Sequence, residues 1–217
     1  MKCKPITRTL SFLLLIFFVT HANAQVYNTK SREYKKAIKQ RTKDYKKQGY
    51  IPMGSGTLNL YVTRGVNKEF ETDEEGQNKF FVITTKDIGP TFESASTASR
   101  TSARTAIAAN IETRVAELIK RSVVNDELSE TSADGINKII AAGKQLIAER
   151  ISMEDIYTLY RSVKDTRTSE NIVEVLYSAC YSNQLAMQKA KEYIREELKE
   201  EAEELHEQLD NIFSLNP

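Results

Sequence analysis

Residues 153–182 read MEDIYTLYRSVKDTRTSENIVEVLYSACYS, and this stretch decides the fold class. In each half of the stretch, more apolar and more polar side chains alternate, and the polar segment 164–171 lies between the two halves. Alternation with a period of two is typical of β-strands, and a short polar connection joins the strands of a hairpin. The stretch therefore predicts two antiparallel strands. The more apolar face of the second strand should meet the core, and it carries Val173, Val175, Tyr177, Ala179 and Tyr181.

The segment upstream of this hairpin contributes one more strand and one ambiguous element. Residues 79–85 form a compact run of aromatic and β-branched side chains, which favour strands. Residues 57–73 begin with an alternation that would suit a strand, but Leu58, Val62 and Val66 recur every four residues, as on a helix. Because the helical pattern is the longer one, we expect a helix here, with a strand as the alternative.

Three further segments carry the periodicity of helices. Residues 91–121 are rich in Ala and Ser, and small side chains let a helix lie close to a sheet. Residues 135–150 follow, with Gly143 on their apolar face as a sign of a close backbone contact. Residues 183–213 combine a Leu stripe with many acidic residues. The pattern predicts an α+β fold: an antiparallel sheet of about three strands, packed by the long Ala-rich helix and a long C-terminal helix.

The first 24 residues predict a secretory signal. They have a basic start, a ten-residue run that is apolar except for one serine, and small residues at Ala22 and Ala24. The run is too short for a transmembrane helix, which needs about 20 residues. Cys3 precedes the run, whereas a lipoprotein signal places its Cys directly after it. We expect export to the periplasm or beyond the cell, without a lipid anchor or a membrane span after cleavage.

Residues 25–50 form a basic N-terminal helical segment ahead of an α+β domain at 51–217 that ends in an acidic amphipathic helix. Within this segment, residues 29–48 predict a helix whose narrow apolar stripe includes Tyr34 and Tyr45. The stripe could pack on the body of the protein, or the helix could lie on an anionic membrane. Six lysines are the candidate interaction residues: Lys35, Lys36, Lys39, Lys43, Lys46 and Lys47.

The composition offers little for catalysis or cofactors. Cleavage after residue 24 would leave 28 basic and 30 acidic residues, so nucleic acid is not an expected partner. His206 is then the one remaining histidine, which argues against a His-based triad and multi-histidine metal sites. We expect no catalytic residue, no metal and no cofactor. The acidic pairs lie in segments that we expect to be turns: Glu74 with Glu75, Glu127 with Glu130, and Glu154 with Asp155.

Cys180 would be the single cysteine of the exported chain, which excludes an internal disulfide. Buried free cysteine behaves as a small apolar residue, and that is one interpretation. An oxidising compartment also permits an intermolecular disulfide through Cys180, which is the other. The hairpin pattern places Cys180 on the face opposite the expected core, near the end of the strand.

The order of the segments resembles a known group of proteins. The relevant stretches are Lys35-Lys36 with Lys46 to Tyr50, the strand Phe80 to Thr84, the helical Arg114 to Ile119, the hairpin Tyr157 to Tyr181, and Glu203 to His206. They resemble uncharacterised exported proteins of Gram-negative gut bacteria, a group that is itself similar to the small envelope lipoproteins called LPP-twenty-like. The resemblance implies helices packed on an antiparallel sheet and carries over no active-site residue.

These observations predict an exported, non-catalytic cell-envelope protein that serves as a binding or interaction module. Its partners would be proteins or envelope components, and an oligomer is compatible with the sequence. One alternative is a peripheral membrane or surface-polysaccharide binder that acts through the basic helix 29–48. The other is a hydrolase with an unrecognised carboxylate site.

Overall fold

The computed structural model describes residues 31–125, 127–165, 168–198 and 203–214. The predicted signal, residues 1–24, lies outside the described residues. In chain order the elements are α1 (31–47), β1 (Ile51–Pro52), α2 (Leu58–Phe70), β2 (Phe80–Gly89), α3 (Phe92–Val124), α4 (Glu130–Glu149), β3 (Glu154–Lys164), β4 (Asn171–Ser182), α5 (Asn183–Glu197) and α6 (Glu203–Ser214). The predicted α+β class is confirmed.

The described sheet has four antiparallel strands in the order β1-β3-β4-β2. The hairpin of β3 and β4 is present, with Leu159 opposite Leu176 and Arg161 opposite Glu174. The prediction of about three strands was one short. The additional strand, β1, has only two residues, Ile51 and Pro52, and a proline beside several glycines carries no strand signal. It pairs with β3 at the edge of the sheet.

Both faces of β4 are buried, because helices cover the sheet on two sides. On one face Val175, Tyr177, Ala179 and Tyr181 join the larger hydrophobic cluster, the main core, which includes α3, α4, α5 and α6. On the other face Leu176 and Cys180 join a smaller cluster, the second core, with Tyr50, Ile156, Tyr157 and Leu159. The face predicted to meet the core does so, and the opposite face is covered as well.

Small residues bring α3 against the sheet as the composition predicts. Thr91 caps its first turn and exchanges hydrogen bonds with Ser94. Ala95, Ser99 and Ala103 are fully buried. The hydroxyl of Ser99 donates to the carbonyl of Val175 at 3.0 Å, so the buried serine is satisfied by the central strand. Larger residues such as Ile107 then fill the deeper core.

The helix α4 begins at Glu130, about five residues before the predicted start, because Ser129 caps it by accepting from the backbone N–H of Ser132 at 3.1 Å. The expected close contact at Gly143 is present. A Cβ at this position would overlap the ring of Tyr193 on α5. Gly143 therefore sets how closely α4 and α5 pack.

The predicted single helix over 183–213 is wrong, since two helices, α5 and α6, occupy this stretch. Lys191 and Arg195 on α5 both reach the carboxylate of Asp210 on α6, which shows that α6 folds back along α5. The two halves of the leucine stripe thus each reach the main core, with Ile194 and Leu198 from the first and Leu209 and Ile212 from the second. Both halves of the stripe can be buried in the main core because α6 folds back along α5.

The ambiguous segment 57–73 contains the helix α2, as predicted. Thr57 caps it by accepting from the backbone N–H of Leu60. Val62 and Val66 are fully buried, and a Cβ at Gly65 would lie 2.8 Å from the ring of Tyr157. This close approach lets α2 pack tightly against the second core. In the part of the chain that the structure describes, no helix has the length and apolar character to cross a bilayer.

Candidate functional site

The basic helix α1 is packed on the body of the protein through α2. The guanidinium of Arg41 donates two hydrogen bonds to the carboxylate of Glu69, at 2.6 and 3.0 Å. The ring of Tyr34 packs edge-on against Phe70, with ring centres 5.7 Å apart. Of the two interpretations of the apolar stripe, the structure therefore shows the one in which it packs on the body, and these side chains are not available to insert into a membrane.

The C-terminal end of α1 is tied to the central strand. Gly49, with φ of +82°, ends the helix in a left-handed conformation that glycine adopts readily. The next residue, Tyr50, donates from its hydroxyl to Glu174 at 2.5 Å. Arg161 donates to the same carboxylate at 2.6 Å and to the carbonyl of Gln48 at 2.8 Å. These contacts give α1 a fixed position relative to the sheet.

The carboxylate of Glu174 is buried in this network and remains charged. Burial alone would raise the pKa of Glu174, but the hydrogen bonds from Arg161 and Tyr50 and the positive charges of Arg161 and Lys86 lower it below its usual value. The phenol of Tyr50 has the opposite shift, because burial and the neighbouring carboxylate raise the pKa of Tyr50. No local sequence pattern predicts this group, since Tyr50 and Glu174 are 124 positions apart in the chain.

The six candidate lysines are all exposed and share one side of α1. At 100° per residue, their positions cover an arc of about 120°, on the side away from Tyr34 and Arg41. Among the described residues, none of the six forms an ion pair with a carboxylate. We call this surface the lysine face: Lys35, Lys36, Lys39, Lys43, Lys46 and Lys47.

A shallow, open groove of about 420 Å³ lies along α1 at the margin of the lysine face, with Asn59 of α2 at its edge. Ile38 and Thr42 contribute to its lining from α1, and Asn59 does so from α2, at 3.3 Å from the Thr42 hydroxyl. The lining surface is almost wholly apolar, although four lysines contribute to it: Lys35, Lys39, Lys43 and Lys46. Lysine stems are hydrocarbon, so they can cover an apolar groove while their ammonium groups stay in water.

Large apolar side chains are exposed in the connection between α1 and α2 and in the first turn of α2. Leu60, the residue after Asn59, is 44% exposed, and it lies beside Gly56 in the loop before α2. In the same connection Ile51 and Met53 are each 54% exposed. Single exposed apolar residues are common on protein surfaces.

A larger cleft of about 1100 Å³ lies between the loop 72–79, α3, α5 and α6. Four acidic residues line it, namely Asp73, Glu74, Glu75 and Glu117. Four basic residues line it too, namely Lys79, Arg114, Arg121 and Lys191. Several of these groups are engaged within the protein. One Asp73 oxygen accepts from the backbone N–H groups of Glu75 and Gln77, and Lys79 and Lys191 each pair with a carboxylate.

This cleft bears on the hydrolase alternative, because glycoside hydrolysis uses two carboxyl groups that face one substrate. Asp73 instead faces the backbone of its own turn. Glu74 and Glu117 are exposed on the loop and on α3. Within the described ranges, no group of three or more His, Cys, Asp or Glu side chains could hold a metal ion. A hydrolase remains a prediction, and this cleft is a candidate location for it.

Cys180 is fully buried in the second core. Its sulfur lies 3.8 Å from a carboxylate oxygen of Glu154, which is paired with Lys68 at 2.8 Å. Burial, followed by the negative charge of Glu154, raises the pKa of Cys180 to about 11. A thiol in this state is a poor nucleophile. The intermolecular disulfide stays a prediction, and it would require the layer of α1 and α2 to open.

The two terminal helical regions do not pair with each other in the described residues. On α5, Glu192 pairs with Lys189, and Glu196 pairs with Arg150 at the end of α4. Within the described ranges, neither α5 nor α6 supplies an ion pair to the lysine face.

No protein-family model, no curated protein and no solved structure matches this chain. The resemblance to envelope lipoproteins stays a prediction.

Proposed function

We propose that this protein is an exported, non-catalytic cell-envelope protein that binds an anionic membrane surface through the lysine face. The observation that supports the proposal is the set of six exposed lysines on one side of a helix whose other side is fixed to the protein. Clusters of four to eight basic residues on an amphipathic helix attract anionic lipids. A rigidly held cluster loses little conformational freedom when it docks.

The size of the attraction fits reversible binding. Each lysine near an anionic leaflet contributes about 1 kcal/mol at physiological ionic strength, so six supply up to about 6 kcal/mol. That is comparable to a single myristoyl chain, which holds a protein only reversibly. Since the apolar stripe of α1 is occupied by α2, the helix would lie on the head groups rather than insert.

A lipid surface fits better than a polysaccharide or an acidic protein because of what surrounds the lysines. The groove beside them is lined by apolar surface, and Leu60, which follows the groove residue Asn59 in the chain, is 44% exposed. A polyanionic glycan has charge but no apolar chains to meet these features. A lipid surface offers both, since its acyl chains lie directly beneath its charged head groups.

Vesicle flotation with matched variants tests the proposal. Lys36→Gln/Lys39→Gln/Lys43→Gln removes three charges from the lysine face and should lower binding to phosphatidylglycerol-containing vesicles by about 100-fold. The control Lys120→Gln/Lys138→Gln/Lys164→Gln removes three exposed charges elsewhere and should bind like the wild type. Equal loss in both variants would show that only net charge matters. Absence of wild-type binding would contradict the proposal, and retention on an acidic glycan instead would assign the face to a polysaccharide.

A further inference from the structure

The strand β2 lies at an edge of the described sheet, where it pairs with β4 on one side. The helices α2 and α3 pack on β2 from the two faces of the sheet, since α2 also contacts β3 and α3 also contacts β4. We propose that β2 pairs with β2 of a second copy of this chain, antiparallel and about a two-fold axis. The two four-stranded sheets would then form one continuous sheet. This inference does not depend on the lysine face.

The register of the sheet shows which backbone groups of β2 point outward. The N–H of Asn183 donates to the carbonyl of Lys79 at 3.1 Å, and this pair continues the register in which Phe80 is opposite Ser182. Every second residue of an antiparallel strand bonds to its partner, so the even-numbered residues of β2 direct their N–H and C=O groups away from β4. These residues are Phe80, Val82, Thr84, Lys86 and Ile88. Among the described residues, no other backbone group hydrogen-bonds to them.

The edge formed by β2 lacks the usual protection against pairing with another chain. Edge strands are commonly protected by proline, bulges or outward charges, but β2 contains no proline and its register with β4 is uninterrupted. The ammonium group of Lys86 lies 3.9 Å from Glu174 on β4, and the Thr84 hydroxyl donates to Ser178 on β4. The opposite edge carries Pro52, so pairing of β2 with itself is favoured over a head-to-tail chain of copies.

One register of self-pairing suits the face of β2 that carries Phe80. With Thr84 opposite Thr84 of the second copy, residues 80–88 all pair, and Ile88 of one copy lies opposite Phe80 of the other. Ile88 is 58% exposed in the single copy, and pairs of aromatic and β-branched residues are favourable between strands. A register centred on Lys86 would instead place two ammonium groups opposite each other, which is unfavourable.

The charges on the other face of β2 are complementary in the same register. Asp87 of one copy lies opposite Phe81 of the other, and the guanidinium of Arg114 lies over the Phe81 ring, 5.6 Å from its centre. In the described residues, Oδ2 of Asp87 is buried without a hydrogen-bond partner, and Arg114 has no ion pair. Pairing therefore brings a carboxylate without a partner close to a guanidinium without one, twice by symmetry.

Sedimentation velocity of the exported chain over a wide range of protein concentration tests this pairing, and we expect a reversible equilibrium between monomer and dimer. Thr84→Asp places two carboxylates opposite each other and should raise the dissociation constant of the dimer about tenfold or more. Thr84→Lys should do the same, and an equimolar mixture of the two variants should restore the dimer because Asp then faces Lys. The control Ser162→Asp adds the same charge at an exposed position of β3 and should dimerise like the wild type.

A second variant, Arg114→Gln, leaves β2 unchanged and should also weaken the dimer; circular dichroism checks that every variant is folded. A wild-type chain that stays monomeric at every concentration would overturn the proposal. So would equal weakening by Thr84→Asp and Ser162→Asp, a mixture of the Thr84 variants that stays monomeric, or a dimer that Arg114→Gln leaves unchanged. Growth into ever larger oligomers would show that β2 pairs with the opposite edge, which also contradicts the two-fold dimer.

Discussion

The hydroxyl of Tyr50 lies 2.5 Å from Oε1 of Glu174, although 124 positions separate the two residues in the chain. The contact joins the end of the basic helix α1 to the central strand β4. Arg161 donates to the same oxygen at 2.6 Å, and its guanidinium also lies over the Tyr50 ring, 5.0 Å from its centre. The lysine face is therefore presented by a helix that is anchored to the middle of the sheet.

Replacing the carboxylate of Glu174 should lower the free energy of unfolding by an amount that depends on pH. Glu174→Gln removes charge-assisted hydrogen bonds and should lower the free energy of unfolding by about 2 kcal/mol at pH 7. Because the pKa of Glu174 is lowered in the folded state, its contribution is complete above its ordinary value near 4.5 and is lost as pH falls below it. Urea unfolding between pH 3 and pH 7 should show the difference between variant and wild type shrinking in acid.

Tyr50→Phe is the matched control for that experiment. It keeps the ring contact with Tyr45 and the pair between Arg161 and Glu174, and it removes one hydrogen bond. The expected cost is about 1 kcal/mol. A loss as large in Tyr50→Phe as in Glu174→Gln, or a Glu174→Gln cost that does not change with pH, would contradict the account of this network.

Two glycines of α4 should respond in opposite directions to the same substitution. Gly143→Ala places a methyl group into the ring of Tyr193, which is 8% exposed, and should destabilise the protein by about 1–3 kcal/mol. Gly135→Ala meets no atom within 4 Å and should stabilise it by up to about 1 kcal/mol through helix propensity. Thermal unfolding of both variants measures this, and a stable Gly143→Ala protein would mean that α4 and α5 pack less closely than described.

Cys180 should be almost inert in the native protein. Its thiol is fully buried, and its pKa of about 11 leaves little thiolate at neutral pH. Ellman's reagent should label it slowly at pH 7 and rapidly once denaturant unfolds the chain. A non-reducing gel should show monomer, and a dimer band that disappears on reduction would instead support the intermolecular disulfide.

The sequence predicts the hairpin, the helix α2 and the Ala-rich helix because each has a strong local period. It does not predict that α1 and α2 would cover the second face of β4, since that depends on where distant segments pack. One signal was present: Leu176 and Cys180 make the second face of that strand apolar too. The reversal between α5 and α6 was missed because a leucine stripe has the same spacing in one long helix and in two short ones.

The candidate site likewise has a part that the sequence predicts and a part that it does not predict. The six lysines of the lysine face could be named from the sequence, because a cluster of like charge on a helical stretch needs a solvated side. The groove could not, because Asn59 reaches it only through the packing of α2 against α1. The anchor of Tyr50, Arg161 and Glu174 was missed for a similar reason, since β3 and β4 bring its members together across the sheet.

The partition coefficient of the exported chain on phosphatidylglycerol-containing vesicles, measured from 50 to 500 mM salt, tests the central claim most directly. At 0.15 M the screening length is about 8 Å, and it falls towards 3 Å at 1 M, so attraction between exposed lysines and head groups must weaken along this series. We expect strong binding at low salt, a fall of more than about tenfold across the range, and no binding to neutral phosphatidylcholine vesicles. Binding that is independent of salt, or equal on neutral and anionic vesicles, would contradict the claim that the lysine face meets an anionic membrane.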